Sequence, residues 1–219
     1  MSSSANRVAT QPRTRASKET RRGQLIDATL TAIERKGLAA VTLADVADGA
    51  GLSRGIVNFH FESKEKLLFA ALSQLSEEYD RNWRSELAAS PPDPANRMRT
   101  LILAEFAEEI CTPRKLAAWF GFFGAAGSRP DYRDLCWARD DAYLDALEEI
   151  CTALDAEQAY GINPTTTAMA IYAMNEGLWL RLMLGNAELT RERAIETGLA
   201  MLGTVFPRHF SPAGAVLAR

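Results

Sequence analysis

The chain has 219 residues, enough for one large domain or for a small domain joined to a medium one. Apolar residues make up 47% and charged residues 24%, which excludes a globally disordered polypeptide. The net charge of −3 conceals an asymmetry, because the balance through Lys64 is +4 and the remainder carries −7. A basic end on an acidic body suits contact with a polyanion through that end, although a solvated basic tail has the same composition.

No apolar run reaches the ~18 residues of a membrane span, and residues 1–22 are rich in Ser, Thr and Arg without the apolar stretch of a signal peptide. A cytoplasmic protein with no membrane contact is expected. Cys111, Cys136 and Cys151 are odd in number, far apart and without nearby His, which argues against both a disulfide framework and a zinc site. They are expected to be buried as small apolar groups, and neither a metal nor a cofactor is expected.

Residues 1–17 read as a flexible tail carrying Arg7, Arg13 and Arg15. A first helix is predicted over 18–36, with Leu25, Ile26, Thr29, Ala32 and Ile33 at helical spacing and Gly37 as its stop. Thr42 caps a short helix through Ala50 with the stripe Leu43, Val46, Ala47 and Ala50; Gly51 closes it, and Ser53 caps another over 54–61. Ser63 caps a long helix over 64–89, and the prolines of Ser90-Pro91-Pro92-Asp93-Pro94 break the chain. Helices follow over 95–110, 113–126, 130–154, 164–184 and 191–206, several with Pro at the first position, and Asn163 and Thr190 are expected N-caps. No alternating β-branched run bounded by hairpin turns interrupts them, so the fold is expected to be all-α.

Residues 42–61 have the layout of a helix-turn-helix, with Gly51-Leu52-Ser53 as the turn. Two helices that cross closely need small residues at the crossing, here Ala47 and Ala50, a Gly at the reversal, and apolar side chains such as Leu52, Ile56 and Val57 to fix the angle. The second helix keeps Arg54, Gly55, Asn58 and Phe59 free to project into a major groove. Free N–H groups at the starts of the helices capped by Thr42 and Ser63 suit backbone phosphates, and Lys64 adds a charge. Any helical hairpin with a glycine turn shares this spacing, so packing motif and DNA reader both stay open on the pattern alone.

The Thr42 cap, the turn Ala50-Gly51-Leu52-Ser53, Gly55, the pair His60-Phe61 and the run Ser63-Lys64-Glu65-Lys66-Leu67-Leu68 resemble the TetR-family signature, a likeness that covers residues 24–72. The resemblance implies a three-helix DNA-binding domain over 18–63. It also implies a linker helix with a ligand-binding and dimerisation body over 64–219, a small-molecule effector, and a homodimer on double-stranded operator DNA. By the family pattern Arg54, Gly55 and Asn58 face base edges, while Thr42, Ser53, His60 and Lys64 hold phosphates; His60 is equally readable as a packed residue. Asn58 stands where many members carry Tyr.

In the body, residues 115–124 (Lys-Leu-Ala-Ala-Trp-Phe-Gly-Phe-Phe-Gly) and 175–184 (Asn-Glu-Gly-Leu-Trp-Leu-Arg-Leu-Met-Leu) are similar to stretches of BetI-type regulators, the choline-responsive repressors of glycine betaine synthesis. Trp119, Phe120, Phe122, Phe123, Trp137, Tyr143 and Trp179 supply aromatic surface, with Glu105, Asp140, Asn175 and Glu176 as polar candidates. Rings beside carboxylates are what a quaternary ammonium needs, because it has no N–H to donate and is held by cation–π attraction. Aromatics at helical spacing are also ordinary core, and an apolar or aromatic effector is the alternative. Two apolar stripes, Ala168, Ile171, Tyr172, Asn175, Leu178, Trp179 and Leu182, and Ala194, Ile195, Gly198, Leu199, Met201, Leu202 and Val205, are expected to form the dimer interface. No enzyme signature is present: there is no nucleophile elbow, phosphate-binding loop or metal-spaced Cys/His set, and His60 and His209 have no evident catalytic partner. A helical protein-interaction module would explain the stripes but not the basic, motif-bearing end.

Overall fold

The computed structural model describes residues 17–185 and 188–218. Arg7, Arg13 and Arg15 of the expected tail lie outside the described residues. Helix α1 (Lys18–Lys36) begins at Ser17, whose hydroxyl accepts from the Thr20 N–H, and stops at Gly37, whose φ of 78° suits glycine. Helices α2 (Leu43–Ala50) and α3 (Arg54–His60) follow, then the long α4 (Lys64–Ala89), capped by the Ser63 hydroxyl. The buried residues of α4, including Leu67, Leu68, Leu72, Leu75, Tyr79 and Trp83, recur on one face at helical period, so one side of this helix lies against the rest of the chain.

Beyond the proline break come α5 (Pro94–Glu105), α6 (Pro113–Ala126), α7 (Pro130–Gln158), α8 (Pro164–Met183) and α9 (Arg191–Val205). Helices α5 to α8 each carry Pro in the first turn, where the missing N–H costs nothing, and side chains of Asp93, Thr112, Asn163 and Thr190 cap α5, α6, α8 and α9. The fold is all-α, a three-helix head followed by a helical body, and among the described residues the only β feature is an isolated antiparallel bridge between Phe210 and Val216. No helix of the described residues is long and apolar enough to cross a membrane. All three cysteines are free and buried, and burial pushes the Cys111 and Cys151 thiols up to about 12 and the Cys136 thiol up to about 11.

Three expectations are corrected. The helix predicted over 95–110 ends at Glu105, because side chains of neighbouring helices take the carbonyls that another turn would have used. Asn82 Nδ2 donates to Ala104, Trp179 Nε1 to Glu105 and Arg191 Nη1 to Phe106, each at 3.0 Å. The stripe Ala168, Ile171, Tyr172, Asn175, Leu178 and Trp179, expected between protomers, is buried inside one chain, since α8 packs on α6, α7 and α9. Ala194, Gly198 and Leu202 of α9 are likewise internal, and a side chain at Gly198 would press on Ile102 at 3.0 Å, so glycine lets α9 approach α5.

Finally, residues 206–218 form a C-terminal hook that no periodicity announced. Phe206 and Phe210 are buried, and Gly203 of α9 leaves room for the Ser211 carbonyl. His209, without a visible partner in sequence, contacts Tyr160 Oη at 2.6 Å through Nδ1 and Glu157 at 3.0 Å through Nε2, which ties the hook to the end of α7.

Candidate nucleic-acid interface and effector site

The first candidate surface is built by local rules. Thr42 and Asp45 form a capping box: the Thr42 hydroxyl accepts from Asp45 N–H at 3.2 Å, while Asp45 Oδ2 accepts from Thr42 N–H at 3.0 Å and from its hydroxyl at 2.8 Å. Lys36 from α1 completes the corner at 2.5 Å from Asp45, and the hydrogen bonds from Lys36 and Thr42 hold the Asp45 carboxyl down at about 2. Gly51, at φ 63°, turns the chain, and Leu52 N–H bonds back to Ala47 at 2.9 Å. With Val46, Ala47 and Val57 sealed inside, α3 is fixed by its inner face only.

Its outer face is open. Ser53, Arg54, Gly55, Asn58 and Phe59 are exposed, Phe59 by 75%, which is unusual for a large apolar ring and leaves it available to a partner surface. The Ser53 hydroxyl makes no cap bond, and Gly55 offers bare backbone beside it. His60 is half-buried with its ring edge-on to Phe59 at 5.2 Å. Thr42 is exposed at the start of α2, and Lys64 Nζ donates to the Ala39 carbonyl at 3.0 Å, which holds the start of α4 against the loop after α1. Lys36 and Asp45 were not anticipated; the capping-box spacing Thr42-x-x-Asp45 was the available signal.

The second candidate site lies inside the body, and at its centre is Arg139. Its side chain is 1% exposed, and its guanidinium carbon lies 4.4 Å from the Trp119 ring centre, 4.7 Å from Tyr79 and 5.3 Å from Phe123. Nε and Nη2 reach Asp140 Oδ1 at 2.7 and 2.5 Å, and Nη2 also reaches Tyr172 Oη at 2.9 Å and Glu176 at 3.4 Å. Tyr172 Oη in turn donates a hydrogen bond to Glu176 at 2.8 Å. Nη1 is buried with no hydrogen-bond partner among the described residues. Glu105 accepts a short hydrogen bond from Tyr79, whose ring packs edge-on to Trp119 and Trp179.

Of the residues expected here, Glu105, Trp119, Phe123, Asp140, Glu176 and Trp179 are brought together, and Phe120 touches the group only through Phe123, at 5.8 Å. Asn175 is buried with neither amide atom paired among the described residues, facing Gly198 of α9. Trp137 is corrected: it is 58% exposed under Arg133, because it falls off the buried stripe of α7 that runs through Tyr132, Cys136, Arg139 and Tyr143. That stripe was also the overlooked signal for Arg139, a charge at an apolar position. Tyr143, one of the expected aromatics, packs against Tyr79 and Tyr172, which complete the cluster and were not among the expected site residues.

Burial works against the charge of Arg139, but the phenols and carboxylates around it outweigh burial and its pKa is raised. Burial also pushes Glu176 up, and it pushes Glu105 up to about 7 against the opposing hydrogen bond from Tyr79 and the charge of Arg139. Among the described residues no group of His, Cys, Asp and Glu could hold a metal ion.

An exposed helix-turn-helix face on a small head, joined by one long helix to a body with a buried polar site, is the architecture of a one-component regulator. The family comparisons agree. Residues 25–71 match the model of bacterial regulatory proteins of the tetR family, and residues 94–207 match that of the BetI-type transcriptional repressor C-terminal domain. The chain is 30% identical over 181 residues to the HTH-type transcriptional regulator BetI of Paraburkholderia xenovorans, covering 82% of this chain and 90% of that protein. It is also 30% identical over 203 residues to the regulator TtgR of Pseudomonas putida, covering 87% and 95%. Among solved structures, a protein of Pseudomonas aeruginosa PAO1 assigned to the transcriptional regulators superposes with a TM-score of 0.75 at 26% identity, over 88% of this chain and 93% of that one. Another, from Saccharomonospora viridis and in complex with choline, gives 0.73 at 20% identity, over 85% and 96%. The chain belongs to the TetR family, with a BetI-type C-terminal domain, and is a transcriptional regulator.

The buried carboxyl of Glu105 gives a pH prediction. A carboxyl whose pKa is raised on folding stabilises the fold fully below its unfolded value, near 4.5, and loses that contribution as pH rises through about 7. For Glu105 the loss is on the order of 3 kcal/mol. Urea unfolding between pH 4.5 and 8 should show this decline in the native chain and a flatter profile in Glu105→Gln. Equal slopes in the two proteins would remove Glu105 as the cause.

Proposed function

We propose that the chain acts in the cytoplasm as a homodimeric repressor, without catalytic activity, that leaves its operator when a small organic cation binds the body. The DNA-reading unit is then residues 18–63, and residues 64–219 carry the effector site and the dimer contacts. Arg54, Gly55, Asn58 and Phe59 read base edges, while Thr42, Ser53, His60 and Lys64 meet phosphates and hold the corner. What supports this assignment is the exposure of that face of α3, while Val57 on its inner side is buried with Val46 and Ala47 of α2. Two such faces on successive turns of one side of a duplex must lie ~34–36 Å apart, which requires two copies held at fixed separation.

The observation that carries the effector class is the aromatic and acidic surround of Arg139, since three ring faces and the carboxylates of Asp140 and Glu176 form a receptor for positive charge. The choline bound by the Saccharomonospora viridis neighbour is of the same chemical class. For the dimer, the outer face of α8 offers Met169, Ala173, Gly177, Leu180 and Leu184, all exposed in one chain and spaced along one side of the helix.

Three measurements test the proposal. Arg54→Ala should weaken binding to the chain's own upstream DNA by ~5–150-fold in mobility shift, the equivalent of one lost base contact, whereas Lys18→Ala should weaken it evenly across sequences and flatten the salt dependence. Unchanged operator affinity for Arg54→Ala would mean that another face reads the DNA. Choline titrated to millimolar concentration into the protein–operator complex should release the DNA, and retention of full affinity would dispose of the cationic effector. In sedimentation at micromolar concentration the native chain should run as a dimer and Leu180→Asp as a monomer; a native monomer contradicts the proposed interface.

A further inference from the structure

Every cation receptor has to be judged by what already occupies it, and here the occupant is covalently attached. We infer that Arg139 is a tethered competitor: its guanidinium fills the aromatic and carboxylate cage that an ammonium ion would use, and a free onium ligand binds by exchanging places with it. This rests on the reading of the body as a receptor for small organic cations and adds what sets its threshold and its selectivity.

The geometry has a floor and a rim. Glu105, 4% exposed and bonded to Tyr79, lies at the floor with the rings of Tyr79 and Trp119. Asp140 and Glu176 stand at the rim, with side chains 20% and 33% exposed against 1% for Arg139. The guanidinium therefore sits over the rings while its carboxylate partners lie on the solvent side. In the inferred exchange the guanidinium swings toward its rim carboxylates and vacates the three ring faces. The interior position is also imperfect, because Nη1 has no acceptor there among the described residues, and a buried unpaired donor costs free energy that water outside would return. A second anion is a poor candidate for this site, since two carboxylates already pair with one guanidinium; a second cation is favoured as soon as the first moves out.

The consequence is quantitative. When a protein's own group closes a site for most of the time, apparent affinity falls by the fraction of time the site stands open, so an occupancy of ~90–99% weakens a ligand ~10–100-fold. Removing the occupant removes that handicap. The exchange also has a route outward, because Tyr79 belongs to α4, the helix that leads to the head, and Tyr172 and Glu176 belong to α8.

The test uses the full-length protein with tetramethylammonium chloride as probe, at constant ionic strength, followed by calorimetry. Arg139→Ala should bind the probe at least about tenfold more tightly than the native chain, and free guanidinium at millimolar concentration should raise the melting temperature of that variant and not of the native protein. Because removing one partner of a buried charge cluster can unfold a protein, Arg139→Lys serves as the second variant; its smaller ammonium cannot cover three ring faces, so it should gain several-fold in probe affinity. Equal or weaker binding by both variants than by a native chain that binds well would overturn the competitor role and leave the cationic effector standing. Binding by the variants with none by the native chain would support the competitor and sink the cationic effector of the native protein. No binding by any of the three would sink both.

Discussion

A guanidinium cannot be left in a protein interior uncompensated, and much of this body is arranged around that constraint. Arg139 arrives on α7 at a position that the helix otherwise gives to Tyr132, Cys136, Tyr143 and Leu147. Taking its charge out of water costs several kcal/mol or more, and only close anions and ring faces offset it. The surrounding helices each supply a part. Tyr79 comes from α4, Trp119 and Phe123 from α6, and Tyr172 and Glu176 from α8, while Glu105 of α5 enters through Tyr79. The early end of α5 belongs to the same economy of polar groups. Its last carbonyls are turned inward, and Asn82, Trp179 and Arg191 satisfy them from three other helices.

Two of the helices that line the cluster also touch the head. Helix α4 carries Tyr79 in its middle and begins at Lys64, whose ammonium holds the loop after α1. Helix α6 carries Trp119 and Phe123, and its Gly121 lies so close to Leu38 that an added methyl would meet that side chain at 3.2 Å, while Arg114 at its start pairs with Asp27 of α1 at 2.6 Å. Glu78 and Lys115, 2.7 Å apart, tie the two helices to each other. Close-packed contacts of this kind respond to displacement by moving together rather than by compressing. On the proposed reading, an exchange at the Arg139 cage therefore reaches the head along both helices and alters how far apart two heads stand.

The head was legible because it is made of local rules. Thr42, Gly51 and Ser63 act on residues within one turn of themselves, so their spacing survives without knowledge of the rest of the chain. The proline-marked starts of α5 to α8 are legible for the same reason. What escaped was decided by contacts distant in sequence. Nothing near Glu105 announces that Trp179 and Arg191 will end its helix, and nothing in the last fourteen residues announces that His209 will meet Glu157 and Tyr160. Trp137 and Arg139 are a different case. Two residues apart on a helix, they point to opposite sides, and a strict count along Tyr132, Cys136, Arg139 and Tyr143 puts the arginine inside and the tryptophan outside. The expectation for Trp137 went with side-chain type, an aromatic at the site, where period was the better guide.

Helix α8 shows why type misleads here as well. Its apolar residues run nearly all the way round, so composition alone does not say which face belongs to which neighbour. The inner face, Ile171, Tyr172, Asn175 and Trp179, is consumed by the core of its own chain. The outer face, Met169, Ala173, Leu180 and Leu184, is what remains for a second copy. Glu176 sits between the two, one residue from the core and four from Leu180. In the proposed dimer, the helix that pairs with Arg139 on one side would pack on its symmetry mate on the other. Any rotation of α8 that follows the guanidinium would then move a surface that its symmetry mate contacts, because a two-fold interface uses the same patch on both protomers.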